Sequence, residues 1–115
     1  MAKRAKAPKP KAPEKVAMAR IADLVARGAA PARMEREVQA IVAELLDGPD
    51  PAEAREAAKQ LVEGLRDEML AGVADTVAML EDLEHPDAAS VRAADRTLAA
   101  MQAACNALVA AHAGL

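Results

Sequence analysis

The side chains best suited to metal binding or nucleophilic catalysis are few, namely Cys105, His85 and His112. Cys105 and His112 are seven residues apart, about two helical turns, which is too far for one zinc ion. His85 lies further away still, beyond most of a predicted helix. No Gly-rich phosphate loop, H-E-x-x-H pattern or G-x-S-x-G elbow occurs. We therefore predict no catalytic residue, no metal site and no cofactor, in a protein that is not an enzyme.

Hydroxyl and aromatic side chains are equally scarce. Ser90, Thr76 and Thr97 are the only Ser and Thr residues, and Phe, Tyr and Trp are absent from all 115 positions. Aromatic rings provide stacking faces and large buried areas in many ligand and nucleic-acid sites. The composition therefore argues against base stacking, aromatic cages and large apolar pockets, and we expect no small-molecule substrate.

The chain is instead rich in residues that favour helices. Ala occupies 32 of the 115 positions, and Ala, Glu, Lys, Leu and Arg together occupy 68, a composition typical of long helices and coiled coils. Leu, Ile and Val total only 22. Because so few large apolar side chains build a modest core, we expect a homo-oligomer or another partner to contribute to stability.

Charge divides the chain into a basic tail, residues 1–15, and an acidic body, residues 16–115. The tail has six cations against one acid, whereas the body has 9 basic and 17 acidic groups. Pro8, Pro10 and Pro13 disfavour a helix, so we expect a disordered tail unless a partner orders it. The tail residues predicted to bind an anionic partner are Lys3, Arg4, Lys6, Lys9, Lys11 and Lys15.

Apolar periodicity predicts an all-α fold, a bundle of about four helices built on a long antiparallel hairpin. The body would be one domain, with a short hairpin over residues 16–47 and the long hairpin over residues 50–115. The predicted helices run from about Glu14 to Arg27, Pro31 to Asp47, Pro51 to Leu83 and Ala88 to His112. Proline in the first turns, Asp50 and Asp87 as N-caps and Gly28 after the first helix support these limits.

Helices 3 and 4 both carry apolar seams whose spacing alternates between three and four residues, as in coiled coils. Leu61, Val73, Val77 and Leu80 widen the apolar face of helix 3 beyond a two-helix seam. The predicted helix–helix or oligomer interface comprises Leu65, Met69, Gly72, Met79, Val91, Leu98, Met101, Cys105 and Leu108.

The second half of helix 4 carries no Asp, Glu, Lys or Arg from Leu98 onward. Since a helix on the surface of a monomer normally has a charged stripe, either helices 1 and 2 or a second copy must cover it. Gln102, Asn106 and His112 make this segment a poor membrane span, and we expect no membrane partner. The acidic hairpin tip is either plain solvated surface or a site for a basic segment.

A helix-turn-helix interpretation of helices 1 and 2 is disfavoured because helix 2 has more acidic than basic side chains, a poor match to a phosphate-lined groove. We expect a non-enzymatic assembly or adaptor protein that self-associates through Ala-rich helix faces and tethers to an anionic partner through its tail. The alternative is a small DNA-associated protein that binds nucleic acid non-specifically through that tail. A single Cys and the lack of a visible secretory segment favour a cytoplasmic location.

Overall fold

A computed structural model describes residues 13–115 and folds them into four α-helices. They are α1 (Pro13–Ala26), α2 (Pro31–Leu46), α3 (Pro51–Glu81) and α4 (Ala88–Ala113). No strand is present between residues 13 and 115. The prediction of an all-α fold with about four helices is confirmed for this part of the chain.

The helix ends follow from local backbone chemistry. The Asp50 carboxylate accepts hydrogen bonds from the N–H groups of Ala52 (3.1 Å) and Glu53 (3.2 Å) and so caps α3, satisfying donors that have no partner inside the helix. Asp87 caps α4 by accepting a 2.6 Å hydrogen bond from the N–H of Ser90. Gly28 adopts the left-handed conformation, at φ +65°, that ends α1 without the steric cost a side chain would bring.

Helix α3 ends at Glu81, two residues before the predicted end. The N–H of Leu83 donates to the carbonyl of Leu80, three residues back, at 3.2 Å. This tighter bond replaces the four-residue helical pattern and turns the chain toward α4.

Helices α3 and α4 run antiparallel. Glu63, early in α3, contacts His112 at the end of α4, and Thr76, later in α3, contacts Met101, earlier in α4. We call α3, α4 and the loop between them the long hairpin. Helices α1 and α2 pack against the same hairpin and against each other.

The core lies where all four helices meet. On the long hairpin it includes Leu65 and Met69 of α3 and Ala104 and Leu108 of α4, all buried. The largest fully buried side chains are Ile21, Met34, Val38, Val62, Leu65 and Leu108. The molecule measures 59 × 37 × 20 Å, so it is elongated, because the long hairpin extends past the core.

The distal part of the long hairpin contributes nothing to that core. From residue 70 through residue 99 no residue is buried. Helices α1 and α2 have 14 and 16 residues against 31 in α3, or about 21 and 24 Å against about 46 Å at the helical rise. The end of α1 and the turn after it line a cleft with Ala93, Arg96 and Thr97 of α4, so α1 extends along α4 to within about two turns of the start of that helix. The loop between α3 and α4 and the distal part of α3 therefore extend beyond the buried core.

Candidate association surface

The nine residues predicted for the helix–helix or oligomer interface fall into three groups. Leu65, Met69, Cys105 and Leu108 are buried in the core of the chain itself, so they are not accessible to a second copy. Gly72, Val91, Leu98 and Met101 are half-buried along the seam between α3 and α4. Met79, near the tip, is exposed.

The Ala-rich part of α4 is also used inside the chain. Ala100, Ala103, Ala104 and Ala107 are buried, and α4 packs against each of the other three helices. Helices α1 and α2 thus cover one side of the charge-free half of α4. The opposite side is open, since Val109 is 52% exposed.

The open surface is a two-helix face of the long hairpin, which we call the outer face. It consists of Leu70, Val73, Val77 and Leu80 on α3 and Leu98 and Val109 on α4.

Two heptad rows place the outer face beside the α3–α4 seam. On α3, Glu63, Leu70 and Val77 are seven residues apart and share one side of the helix. On α4, Leu98, Cys105 and His112 are also seven residues apart. The His112–Glu63 contact, 2.7 Å between Nε2 and Oε2, joins the ends of the two rows. In the antiparallel hairpin this contact sets Leu70 level with Cys105 and Val77 level with Leu98.

Large apolar side chains on the outer face are exposed to solvent. Leu70 is 50% exposed and Val77 is 39% exposed, while Val73, Leu80 and Leu98 are half-buried. Contiguous apolar surface of this kind marks an interaction site more often than scattered single residues do. The sequence predicted that Val73, Val77 and Leu80 widen the apolar face of α3. It had not indicated Leu70 or Val109, although Leu70 stands one heptad before Val77.

Polar side chains next to the outer face interact with each other within each helix. Gln102 donates a 3.0 Å hydrogen bond to Asn106 on α4, and Arg66 forms a 3.3 Å ion pair with Asp67 on α3. The far end of α3 is acidic, with Glu81 in the helix and Asp82 and Glu84 just after it, and its last turn contains no basic residue. Acidic groups oppose the partial negative charge at a helix C-terminus, so this end favours an external cation.

The predicted anion-binding cations are only partly described. Lys15 is exposed on α1, which begins at Pro13, so the prediction of a disordered tail is wrong for residues 13–15: proline fits the first turn of a helix. Lys3, Arg4, Lys6, Lys9 and Lys11 lie outside the described residues. The start of α1 passes close to α3, since the Glu14 carboxylate is about 3.3 Å from where a Cβ on Gly64 would lie. A hydrogen bond with Glu14 raises the pKa of Glu68, as expected for neighbouring carboxyl groups.

The chemically reactive side chains are dispersed. His85 is in the tip loop, Cys105 is buried in the core, and His112 contacts Glu63. Burial raises the pKa of the Cys105 thiol, which disfavours the reactive thiolate. Among residues 13–115, no three or more His, Cys, Asp or Glu side chains are grouped to hold a metal ion.

An ion-pair cluster that sequence inspection did not identify joins α1 to α2. Arg20 donates from Nε to Glu37 at 2.6 Å and from Nη1 to Glu44 at 2.9 Å. The hydrogen bond with Glu44 makes the largest contribution to raising the pKa of the Arg20 guanidinium, and Glu37 raises it further. This cluster could not be predicted from the sequence because the three residues meet only when the two helices pack.

The clefts are small or shallow. One of about 200 Å³ between α1, α2 and α3 is lined mainly by apolar side chains, with Arg20 and Glu44 beside them. Ligand pockets usually have volumes of roughly 300–1,000 Å³. A depression of about 630 Å³ lies along α1 alone, lined by Lys15, Val16, Ala19, Arg20 and Asp23. The polar side chains of the first cleft, Arg20 and Glu44, are already paired with each other, and the second cleft lies on a single helix, so the outer face is the stronger candidate site.

Comparison with known proteins adds no assignment: no protein-family model, curated protein or solved structure matches the chain. Within residues 13–115, no helix combines the length and apolarity needed to cross a bilayer.

Proposed function

We propose that this protein is a non-enzymatic assembly module that associates with a second copy of itself through the outer face of the long hairpin. The proposal is carried by one observation. Residues 70–99 include no buried residue, although Leu70 and Val77 place large apolar side chains there. Helices α1 and α2 pack against the other side of the hairpin, and a second hairpin would cover the outer face.

The expected strength follows from the exposed area. Burying the exposed half of an aliphatic side chain yields about 1 kcal/mol. Leu70, Val77 and Val109, each contributed by both copies, would therefore supply about 6 kcal/mol. Because association costs several kcal/mol in lost freedom, we expect a weak, reversible dimer that dissociates at roughly millimolar concentrations.

Light scattering coupled to size exclusion, over a range of protein concentrations, tests this proposal. The wild type should shift from monomer to dimer as its concentration rises, and Val77→Glu should remain monomeric. Leu46→Glu is the matched control, because Leu46 and Val77 are both 39% exposed and Leu46 lies at the end of α2. A wild type that stays monomeric at roughly millimolar concentrations would contradict the proposal.

We further propose that the basic tail tethers the assembly to an anionic partner. Support comes from the charge separation: the tail carries six cations against one acid, whereas the body is acidic. The alternative function, non-specific association with DNA, rests on the same residues. Six cations at phosphates predict a slope of about −5 in a plot of log binding constant against log salt concentration.

A variant with Gln in place of Lys3, Arg4, Lys6, Lys9 and Lys11 tests the DNA alternative while it preserves the length of the tail. If the tail binds DNA, the wild type should bind duplex DNA at low salt and this variant should not. Wild-type protein that shows no binding even at low salt would remove the DNA alternative and leave a protein or other polyanion as the tail's partner.

A further inference from the structure

The apolar row that α3 contributes to the outer face reads the same in both directions. It consists of Leu70, Val73, Val77 and Leu80, with spacings of three, four and three residues. Both the residue types and the spacings are palindromic. Across a two-fold axis, two such rows on antiparallel helices would pair each Leu with a Leu and each Val with a Val.

The charges at the two ends of this row are opposite. Arg66, half-buried, lies one helical turn before Leu70, and Glu81, Asp82 and Glu84 lie at the other end. An antiparallel partner would bring its own Arg66 to this acidic end of α3, which has no basic residue in its last turn. A cation there neutralises the acids and is favoured by the helix dipole.

We propose that the second copy docks antiparallel on the outer face, with Leu70 against the partner's Leu80 and Val73 against the partner's Val77. This inference rests on the proposed self-association and specifies its geometry. The two-fold axis passes level with Asp75, midway between Val73 and Val77. Each Arg66 then lies beside Asp67 of its own helix and level with the partner's Glu84, about one helical turn from the partner's Glu81.

The parallel arrangement is disfavoured by the same charges. It would pair Leu70 with the partner's Leu70, which the apolar row tolerates. It would also bring Arg66 next to the partner's Arg66 and Glu81 next to the partner's Glu81. Like charges facing each other across a helix pair are destabilising, so the charged ends select the antiparallel register.

Disulfide trapping tests the register directly. Leu70→Cys carrying a size tag is mixed with untagged Leu80→Cys in a glutathione redox buffer, and the products are separated by mass. In the antiparallel register these cysteines face each other, whereas two copies of Cys at position 70 lie about 15 Å apart along the helices. We expect the mixed disulfide in the mixture and little covalent dimer from either variant alone.

Two controls accompany the trapping. Ala71→Cys mixed with Ala78→Cys places exposed thiols at similar heights on another side of α3, and should give no mixed disulfide above background. The wild type, whose only thiol is the buried Cys105, should stay uncrosslinked.

A charge reversal provides a second measurement that does not depend on engineered thiols. Arg66→Glu should raise the dimer dissociation constant about tenfold, because the two-fold axis repeats the lost contact. Arg33→Glu makes the same charge change on an exposed site of α2 and should leave the dissociation constant unchanged.

The outcomes separate the register from the association itself. A wild type that is monomeric by light scattering overturns both proposals. If the wild type is dimeric, then homodisulfides from Leu70→Cys alone, or no mixed disulfide, overturn the antiparallel register and leave self-association standing.

Discussion

The contrast between the core and the outer face predicts very different costs for the same substitution. Leu108 is fully buried where the four helices meet, whereas Leu70, also on the long hairpin, is half exposed on the outer face. We expect Leu108→Ala to be severely destabilising and Leu70→Ala to be mild when both are measured on the monomer.

The magnitudes follow from burial. Leu→Ala in a packed core costs the lost transfer free energy plus a term for the cavity, about 3 kcal/mol or more. At Leu70 only half of the side chain is removed from water and no enclosed cavity forms, so the cost is about 1 kcal/mol. For a domain whose total stability is roughly 5–15 kcal/mol, the first change threatens folding and the second does not.

Urea denaturation at low micromolar protein measures both costs. Because the chain has no Trp or Tyr, helical circular dichroism rather than intrinsic fluorescence should follow unfolding. With an m-value of roughly 1.5 kcal/mol per molar urea, the midpoint should fall by about 2 M for Leu108→Ala and by about 0.7 M for Leu70→Ala. Equal midpoint shifts at a concentration where the protein is monomeric would refute the conclusion that α1 and α2 leave the outer face uncovered.

Three further outcomes are expected. Gly28→Ala should cost about 1–2 kcal/mol in thermal or urea unfolding because its φ is +65°, while Gly48→Ala, with only an ordinary 3.7 Å contact to Ala54, should be tolerated. A disulfide-exchange reagent should label Cys105 only as the protein unfolds, since burial raises its pKa; rapid labelling of folded protein would contradict this. The hydrogen bond from the Ser90 N–H lowers the pKa of Asp87 below its ordinary 3.8. The carboxylate therefore contributes fully to folding stability above pH 3.8, and this stability is lost as the pH falls through the lower pKa of the folded state. Asp87→Asn should therefore flatten the acid limb of stability against pH, and an unchanged limb would count against the cap's electrostatic role.

The helix limits were predictable because they depend on local chemistry. Pro31, Pro51 and the Asp50 and Asp87 caps begin helices where the sequence indicated, since proline and capping residues act on the adjacent backbone alone. The end of α3 was placed two residues late because Leu83 fits the apolar period, although its N–H bonds to Leu80 in a tighter turn.

The outer face was harder to predict than the helix limits because it depends on which side of each helix the other helices cover. Periodicity identified both faces of α3 as apolar but did not determine which face another helix would cover. Cys105 and Leu98 occupy equivalent heptad positions, yet Cys105 is buried and Leu98 is only half-buried, a difference that periodicity alone could not predict. The Arg20 cluster with Glu37 and Glu44 has the same origin in tertiary packing.

The exposed loop between α3 and α4 has a consequence for how the chain can be divided. Every residue from 81 through 90 is exposed, so cutting the backbone there would remove no core contact. The two fragments would each retain part of one shared core, because α4 alone contributes Ala100, Ala104 and Leu108 to it. They should therefore reassemble without a covalent link once their concentrations match the effective concentration that the loop supplies, which makes this site a natural one for fragment complementation.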